Sequence, residues 1–215
     1  MNAARTPPIR WYFDFISPFA CLHWPKVRAL AEREVVEFRP ILFAGLLDRH
    51  GQKGPAEIPG KREFTYRHVL WRARRSGVPM RFPPAHPFNP LAALRLCLAA
   101  GATPEAIAAI FDWIWCEGRA GDSPQALAPV AARLGIDDIA AAIAAPAVKA
   151  RLRENFEAAV ADVVFGVRTL VVGGELFWGE DAHDFAEAVL ADPALLDDPE
   201  FGRVTALPRA AVRGG

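Results

Sequence analysis

A serine lies where the chain changes character, in the segment WYFDFISPFACL. An alternating, aromatic run from Ile9 to Ile16 predicts a β-strand, and Ser17 and Pro18 follow it directly. The serine hydroxyl can cap the next helix, and proline suits the first helical position because the N–H that it lacks has no helical partner there. The chain contains no GxSxG elbow, so Ser17 is not predicted to be a hydrolase nucleophile.

Thiol and metal chemistry have little support in the sequence. The three cysteines are an odd number without a short spacing, namely Cys21, Cys97 and Cys116. A disulfide framework is therefore not predicted, and a reducing, cytoplasmic location is expected. The five histidines are scattered and belong to no HExxH or CxxC-type motif, so no metal site is predicted. GxGxxG and phosphate-loop motifs are absent as well.

Charge and hydropathy argue against two classes of partner. The chain has 25 Lys and Arg against 25 Asp and Glu, so no global field attracts nucleic acid or an acidic membrane. No apolar stretch approaches the roughly 18 residues that span a bilayer. The first residues, MNAARTPPIR, contain no apolar signal region. With 215 residues, 52% of them hydrophobic, the chain can pack one large domain or two small ones.

The strand before Ser17 belongs to a strand–helix–strand unit. A helix is predicted over Pro18–Glu34, and the apolar run VVEFRPIL at 35–42 predicts a second strand, parallel to the first. The stretch from 43 to 165 is predicted to be helical throughout, in alanine-rich segments that glycine and proline separate.

A second pair of strands is predicted near the other end of the chain. The segment RTLVVGGELFWG at 168–179 predicts a hairpin, because Gly173 and Gly174 tolerate the positive φ of a two-residue turn. A helix over Ala182–Leu190 follows. The whole order therefore predicts a sheet domain interrupted by a helical insertion, although the composition hardly shifts between the two.

Four segments, in this order along the chain, resemble the 2-hydroxychromene-2-carboxylate isomerases: YFDFISPFA, AEIPGKREF, RFPPAHPFNPLAALR and FGVRTLVVGGELFWGEDAHDF. The resemblance covers residues 10–192 and extends to the kappa-class glutathione transferases. It implies an α/β, thioredoxin-like fold with a DsbA-type all-helical insertion. Residues 1–42 and 160–215 would form the discontinuous thioredoxin-like domain and 43–159 the insertion. It also implies a homodimer.

The resemblance implies a catalytic role for Ser17. Redox-active thioredoxin folds carry Cys-x-x-Cys where this chain has Ser-Pro-Phe-Ala at 17–20, so disulfide exchange by this motif is excluded. Cys21, one position further, is expected to be a buried small hydrophobe. In the resembling family the cofactor is glutathione, whose thiolate is stabilised by the serine hydroxyl and by the helix N-terminus.

The implied reaction is a cis-trans isomerisation of an aromatic carboxylate through reversible addition of the glutathione thiolate. Lys61, Arg62 and Asn89 occupy the positions that the family uses to bind this substrate. Each has an alternative interpretation. Lys61 and Arg62 can belong to a solvated, arginine-rich helix face, and Asn89 can cap a helix that starts at Pro90.

The resemblance places glutathione against the segment before the hairpin, at Val167. Its γ-glutamyl end would lie at WGED, whose residues are Trp178, Gly179, Glu180 and Asp181. Asp181 can pair with the glutamyl ammonium or cap the following helix, and the tryptophans are expected to be core residues rather than ligand contacts. Glu180 adds negative charge where relatives often have a small or neutral residue.

One position departs from the family pattern. Relatives read GVPT where this chain has GVRT, so Arg168 replaces the family's cis-proline. A cis bond before a non-proline residue costs about 2.5–4 kcal/mol, so the bond between Val167 and Arg168 is expected to be trans. The Arg168 guanidinium would then lie near Ser17, where it either contacts an anion or occupies the glutathione groove.

Two other functions stay open at this level. One is a kappa-like transferase that conjugates glutathione to electrophiles irreversibly. The other is a non-catalytic binding protein on a degenerate thioredoxin scaffold, because a fold does not determine a function. Glutathione affinity distinguishes the binding protein from the two enzymes, and product analysis distinguishes the isomerase from the transferase.

Overall fold

The computed structural model describes residues 8–208 and places four strands in one sheet. These strands are β1 (Ile9–Phe13), β2 (Val36–Pro40), β3 (Thr169–Val172) and β4 (Glu175–Trp178). Their spatial order is β2-β1-β3-β4, so β1 is central and its two neighbours come from opposite ends of the chain. The predicted single sheet of four strands is confirmed.

The strand–helix–strand unit has shorter elements than the sequence predicts. Helix α1 (Pro18–Ala31) crosses from β1 to β2, and the two strands run parallel with Ile9 opposite Val36. The first strand ends at Phe13 rather than Ile16. The chain turns there, because the Ser17 N–H donates to the Asp14 carbonyl at 3.2 Å.

The hairpin forms around the predicted pair of glycines. Gly173 and Gly174 have φ of +61° and +99°, a region that side chains rarely adopt. β3 pairs antiparallel with both β1 and β4, with Leu170 opposite Trp11 on one side and Phe177 on the other. The sheet thus continues past β1 to the hairpin, as the predicted order requires.

The stretch between β2 and β3 contains helices and loops and no strand in the described chain. Its α-helices are α2 (Phe43–His50), α3 (Lys61–Arg75), α4 (Leu91–Ala99), α5 (Pro104–Phe111), α6 (Pro124–Arg133), α7 (Ile139–Ala144) and α8 (Pro146–Ala161). A 3-10 turn covers Pro55–Glu57, and a π-helical turn, Asp112–Cys116, follows α5 directly. No helix within residues 8–208 has the length and apolarity needed to cross a membrane.

Two further helices follow the hairpin. They are α9 (His183–Ala191) and α10 (Pro199–Thr205), with a 3-10 turn at Pro193–Asp197 between them. α9 ends one residue after the predicted Leu190. On this helix Val189 is buried, whereas Phe185 is 42% exposed.

One hydrophobic core joins the sheet to the insertion. Trp11 and Phe13 of β1 are stacked with ring centroids 4.2 Å apart, and both contact Phe111 of α5. Ile107 and Leu127 from the insertion lie fully buried in the same cluster. The boundaries proposed above for two domains stay a prediction, since this core crosses them.

The end of the insertion is bound to β1 by a partly buried polar cluster. The Asp162 carboxylate follows α8 and accepts two hydrogen bonds from the Arg10 guanidinium, at 2.7 and 3.0 Å. It accepts a third from the Tyr12 hydroxyl at 2.6 Å. Because one carboxylate accepts from three donors, it fixes the position of β1 relative to the end of α8.

A pair of buried histidines joins α1 to α9. His23 Nε2 lies 2.9 Å from His183 Nδ1, and His183 Nε2 lies 3.3 Å from Oε1 of Glu187. Burial lowers the pKa of both imidazoles below the usual value, and the Glu187 carboxylate only partly opposes this at His183. The pair is therefore neutral at neutral pH. Glu187 also forms an ion pair with Arg33, which lies just after α1.

Candidate functional site

Ser17 caps α1, as its sequence predicts. Its φ and ψ of −90° and 112° are extended, and its Oγ accepts a hydrogen bond from the Ala20 N–H at 3.3 Å. Pro18 takes the first helical position. Because Oγ is the acceptor in the cap, the hydroxyl hydrogen remains free to be donated to another group.

Asp14 holds the turn that leads to Ser17. Its carboxylate is fully buried and accepts hydrogen bonds from the Ile16 N–H at 3.0 Å and from the Phe43 N–H at 2.9 Å. Burial raises the pKa of this carboxyl to about 7, although the backbone donors pull in the opposite direction. Sequence analysis did not single out Asp14, whose bonds connect the turn to the first helix of the insertion.

A cavity of about 770 Å³ opens in front of the α1 N-terminus. Its wall is largely apolar and comes from the β1–α1 turn, α2, α3, the loop before α4 and the segment before β3. Six residues that the sequence pointed to line it, namely Ser17, Lys61, Asn89, Val167, Arg168 and Trp178. The other four, Arg62, Gly179, Glu180 and Asp181, are not among its lining residues.

Arg168 lies in this cavity wall with an unusual backbone. The sole cis bond in the described chain is His86–Pro87, so the expected trans bond before Arg168 is confirmed. Its φ is +60°, a left-handed conformation that costs an arginine about 1–2 kcal/mol. The trans bond and the left-handed residue together determine the backbone at this point of the cavity wall.

The Arg168 side chain is held between two aromatic rings. Its guanidinium carbon lies 4.7 Å from the Phe19 ring centroid and 5.7 Å from that of Trp178. The Nε–H is buried without a hydrogen-bond partner in the described chain. Burial lowers the pKa of this guanidinium to about 10, and the carboxylates of Asp181 and Glu180 partly oppose the shift. Arg168 therefore stays positively charged, with one donor unused.

The WGED segment lies beside the cavity rather than in its wall. Of its four residues, Trp178 alone lines the cavity, and it is 48% exposed. The expectation that Trp178 is a core residue is therefore wrong, whereas Trp11 is buried as expected. Glu180 forms a partly buried ion pair with Arg72 of α3. The added negative charge that the sequence indicated is thus neutralised from the insertion.

Asp181 does not cap α9, the helix that follows the hairpin. The N-cap of α9 is Ala182, with no side-chain hydrogen bond, so this alternative for Asp181 is wrong. Its carboxylate lies instead against Gly179, where an added Cβ would clash with Oδ1. Gly179 has φ of +102°, and this conformation brings the exposed Asp181 carboxylate back towards the end of β4.

The two substrate-binding candidates on α3 differ in their surroundings. Lys61 begins the helix, is exposed and lines the cavity. Arg62 turns to the neighbouring loop, where its Nη2 donates to the His86 carbonyl at 3.0 Å and its Nε donates to the Tyr66 hydroxyl oxygen at 3.2 Å. The helix therefore presents one cation to the cavity and uses the next to hold the loop.

Asn89 lines the cavity but is not the N-cap of a helix starting at Pro90. α4 begins at Leu91, with Pro90 as its N-cap residue. The Asn89 Oδ1 nevertheless accepts from the Leu91 N–H at 3.0 Å, so its side chain still bonds the first N–H of α4. Pro90 itself has no N–H to donate, so the amide oxygen bonds the next available donor.

Sequence analysis missed a second polar cluster in the cavity wall. His86 Nε2 lies 2.9 Å from the Ile16 carbonyl oxygen, and its Nδ1 lies 2.6 Å from the Tyr66 hydroxyl. Both side chains line the cavity. The signals were present as HPFNP, which places a histidine before the loop of Asn89, and as the i, i+4 spacing of Arg62 and Tyr66.

The cysteines add no thiol to the cavity wall in the described chain. Cys21 is buried as expected, and its pKa is raised by a hydrogen bond with Cys116 and by burial. Cys97 is buried as well, and burial raises its pKa. The nucleophile position of a thioredoxin motif is therefore occupied by a hydroxyl alone.

Comparisons with known proteins agree with this architecture. Residues 8–191 match the family model of the DSBA-like thioredoxin domain. A 2-hydroxychromene-2-carboxylate isomerase of Sphingobium xenophagum is 30% identical over 194 residues, which is 87% of this chain and 100% of the relative. One of Pseudomonas putida is 31% identical over 195 residues, 85% of this chain and 93% of the relative.

Solved structures have the same fold. A 2-hydroxychromene-2-carboxylate isomerase superposes with a TM-score of 0.72 at 24% identity, over 89% of this chain and 98% of that chain. The cytosolic disulfide reductase DsbM from Pseudomonas aeruginosa has a TM-score of 0.60 at 18% identity, over 86% and 98% of the two chains. At these identities the structural likeness supports the fold alone.

Proposed function

Because this chain belongs to the 2-hydroxychromene-2-carboxylate isomerase family, within the DSBA-like thioredoxin domains, we propose that it is a glutathione-dependent isomerase of an aromatic carboxylate. The observation that carries the proposal is the position of Ser17. It caps a helix at the wall of an apolar cavity that also contains Arg168 and Lys61. A hydroxyl at that point cannot exchange disulfides, but it can bind a sulfur anion.

The residues around Ser17 fit glutathione. Within residues 8–208, no hydrogen bond involves the main-chain N–H or C=O of Val167, which lines the cavity just before β3. Buried main-chain groups are nearly always paired, so this position suits the backbone of a bound peptide. The Nε–H of Arg168 is a second unused donor beside it.

When bound, glutathione would supply the thiolate that adds reversibly to the conjugated substrate and so permits rotation about the intervening bond. Ser17 would donate its free hydroxyl hydrogen to the sulfur. The positive end of the α1 helix dipole adds positive electrostatic potential at the same point. Together these groups favour the thiolate over the thiol at neutral pH.

Positive side chains and aromatic rings would position the substrate. Arg168 offers a charge-assisted hydrogen bond to a carboxylate, and Lys61 offers a second cation in the same cavity. The faces of Phe19 and Trp178, which flank the Arg168 guanidinium, give an aromatic ring an apolar wall. Asn89 adds an amide to the cavity wall, while Arg62 lies outside the wall and donates to the His86 carbonyl and the Tyr66 hydroxyl oxygen.

The γ-glutamyl end of glutathione would lie outside the cavity at WGED. The exposed Asp181 carboxylate suits its ammonium group, and the uncapped N–H groups at the start of α9 suit its carboxylate. Glu180 is already paired with Arg72, so it does not repel that carboxylate as a free acid would. Gly179 and Trp178 form the wall that leads from this end to Val167.

Calorimetric titration with glutathione and an isomerisation assay with 2-hydroxychromene-2-carboxylate test the proposal in the Ser17→Ala variant. Turnover is expected to fall about 10²-fold, because a hydroxyl that stabilises the anion is lost while the helix N-terminus remains. Stability is expected to fall by only about 1 kcal/mol for the lost cap.

Ser123→Ala is the matched control. Ser123 caps α6 with the same type of hydrogen bond, from the Ala126 N–H to its Oγ at 3.2 Å, and is not in the cavity wall. It should cost similar stability and leave turnover and glutathione affinity unchanged. A wild-type chain that does not bind glutathione would contradict the proposal, and a stable glutathione conjugate as product would indicate a transferase instead.

A further inference from the structure

The cluster of Tyr66 and His86 has a defined proton arrangement. The Ile16 carbonyl can only accept a hydrogen bond, so Nε2 of His86, 2.9 Å away, carries a hydrogen. In the neutral imidazole Nδ1 is then an acceptor, and the Tyr66 hydroxyl lies 2.6 Å from it. The hydroxyl therefore donates to Nδ1.

The same hydroxyl has a second acceptor within reach. It lies 2.8 Å from the main-chain carbonyl of His86. The single hydroxyl hydrogen can be donated to either group, but only the imidazole can take the proton and keep it. The ring nitrogen and the phenol oxygen are thus the two ends of a possible proton transfer in the cavity wall.

Arg62 completes the cluster. Its Nε donates to the Tyr66 oxygen at 3.2 Å, and its guanidinium carbon lies 5.4 Å from the Tyr66 ring centroid. A guanidinium donor stabilises negative charge that develops on the phenol oxygen. The oxygen accepts from Arg62 and donates to His86, and its remaining lone pair can accept from a ligand in the cavity.

We propose that Tyr66 is a further catalytic residue, which exchanges a proton with the ring hydroxyl of the substrate, and that His86 is a positioning residue that holds the proton behind it. This assignment rests on the function proposed above. Neither residue is among those that the resemblance implied for substrate or glutathione. The assignment gives the reaction a proton carrier that Ser17 and the cations do not provide.

The chemistry of a 2-hydroxychromene-2-carboxylate creates the need for such a carrier. C2 bears both a hydroxyl group and the ring oxygen, so ring opening removes a proton from one oxygen and delivers one to the other. The hydroxyl proton passes to the Tyr66 oxygen as the Tyr66 proton passes to His86 Nδ1. The electron pair left on the substrate oxygen forms the ketone as the bond from C2 to the ring oxygen breaks.

The return transfer restores the starting state. The ring oxygen leaves with its electron pair as a phenolate, and it takes a proton from Tyr66 while the proton on Nδ1 returns to the Tyr66 oxygen. No proton is gained or lost overall, and no further reactant is needed. Closure of the ring follows the same transfers in reverse.

The surroundings keep His86 available as an acceptor. Burial lowers the pKa of its imidazole, and the charge of Arg62 acts in the same direction, whereas the bond to Ile16 opposes them. The charged or titratable groups that face it are Arg62 and Tyr66 of α3. Its other neighbours are three aromatic rings, those of Phe82, Phe88 and Trp115.

The test measures turnover of 2-hydroxychromene-2-carboxylate against pH, with glutathione present, in the wild-type chain and in Tyr66→Phe. Removal of the hydroxyl is expected to lower kcat about 10²-fold with KM and glutathione affinity little changed. Tyr12→Phe is the matched control: Tyr12 is the other tyrosine of the chain, and its hydroxyl bonds Asp162 away from the cavity. It should leave kcat unchanged.

His86→Gln separates the relay from a structural role. The glutamine amide still provides an N–H for the Ile16 carbonyl, but it cannot take a proton. We expect kcat to fall at least about 10-fold and the acid limb of the wild-type pH profile, which lies below the usual imidazole pKa of about 6.5, to disappear. An unchanged profile in His86→Gln, or a wild-type kcat in Tyr66→Phe, would overturn the relay and leave the isomerase standing. Absence of turnover in the wild-type chain would overturn both.

Discussion

Two histidine sites contact α1, one just before its first turn and one near its middle. They differ in whether a ligand can reach them, and not in the direction in which their pKa values are shifted. His86 bonds the Ile16 carbonyl just before the helix, and His23 bonds His183 on α9. Burial lowers the pKa of all three imidazoles. Of these three histidines, only His86 lines the large cavity. The Tyr66 hydroxyl that it bonds also lies in the cavity wall, where a ligand can reach it.

The difference shows what a shifted pKa does and does not indicate. A lowered pKa reports that an imidazole has left water, which is equally true of a packing residue and of a proton carrier. A role in chemistry also needs a path from the group to a ligand. His23 has none, because it is sealed between helices, and it therefore serves the joint between α1 and α9.

The largest effect is expected from His23→Ala, which tests whether His23 has a structural role alone. The imidazole is fully buried, so its removal leaves a void and deprives His183 Nδ1 of its partner. We expect the free energy of unfolding in urea to fall by about 2–4 kcal/mol. Turnover per folded molecule should stay at the wild-type level.

His50→Ala is the matched control for that variant. His50 is exposed at the end of α2 and is expected to change stability by less than about 0.5 kcal/mol. A His23→Ala chain as stable as wild type, or one that is fully folded but inactive, would show that the two histidine sites are not divided as we describe.

A substitution at Arg168 tests whether a side chain in the cavity wall binds an anion without contributing to stability. Proline cannot adopt its φ of +60°, but asparagine tolerates it, so Arg168→Asn removes the charge and keeps the backbone. Loss of a charge-assisted hydrogen bond is expected to weaken the binding of an aromatic carboxylate such as salicylate by about 10-fold or more, measured by calorimetry. Stability should not fall.

Arg168→Lys is the control that keeps the charge and should lose less affinity than asparagine. Tighter glutathione binding in Arg168→Asn would contradict the proposed anion site, because it would mean that the arginine occupies the groove. Equal affinity in all three chains would remove Arg168 from the site.

The smallest effect concerns stability against pH, where the sealed histidines and Asp14 have opposite signs. His23 and His183 have lowered pKa values in the fold, so the unfolded chain binds more protons and their contribution is lost as pH falls below about 6.5. Asp14 has a pKa raised to about 7, so its contribution is present at low pH and is lost as pH rises from about 4 to 7.

Asp14→Asn therefore exposes the histidine effect. Between pH 7 and pH 5 this variant is expected to lose more stability in urea than the wild-type chain, by about 1 kcal/mol. The comparison is between slopes, so a uniform loss from the missing carboxylate does not affect it. A smaller slope in Asp14→Asn than in wild type would contradict the assigned direction for Asp14.

The fold was largely predictable because its signals are local. Alternating strands, Pro18, and the pair Gly173 and Gly174 each restrict the backbone over a few residues, and their order leaves few ways to build a sheet. The errors lie at element ends. The β1 strand stops at Phe13, and the turn after it is held by the Asp14 carboxylate, which accepts from the N–H of Phe43, a residue far along the chain.

The site was predictable where it repeats a family motif and unpredictable where side chains meet across elements. Ser17 could be found from its motif, and so could Lys61. The contact between Tyr66 and His86 joins a helix to a distant loop, and no local pattern reports it. The exposure of Trp178 was missed for the same reason, since the tryptophan follows an apolar run yet faces a cavity that five other segments create.

The bond of Asp162 to Arg10 and Tyr12 also bears on how the chain folds. It closes a loop of about 150 residues, and β1 cannot pair with β3 until that loop has been closed. Contacts of such long sequence separation are made slowly, so β1 should acquire hydrogen-exchange protection late, after the local helices of the insertion. A nascent chain would thus leave the β3-facing edge of β1 unpaired until the last strands leave the ribosome.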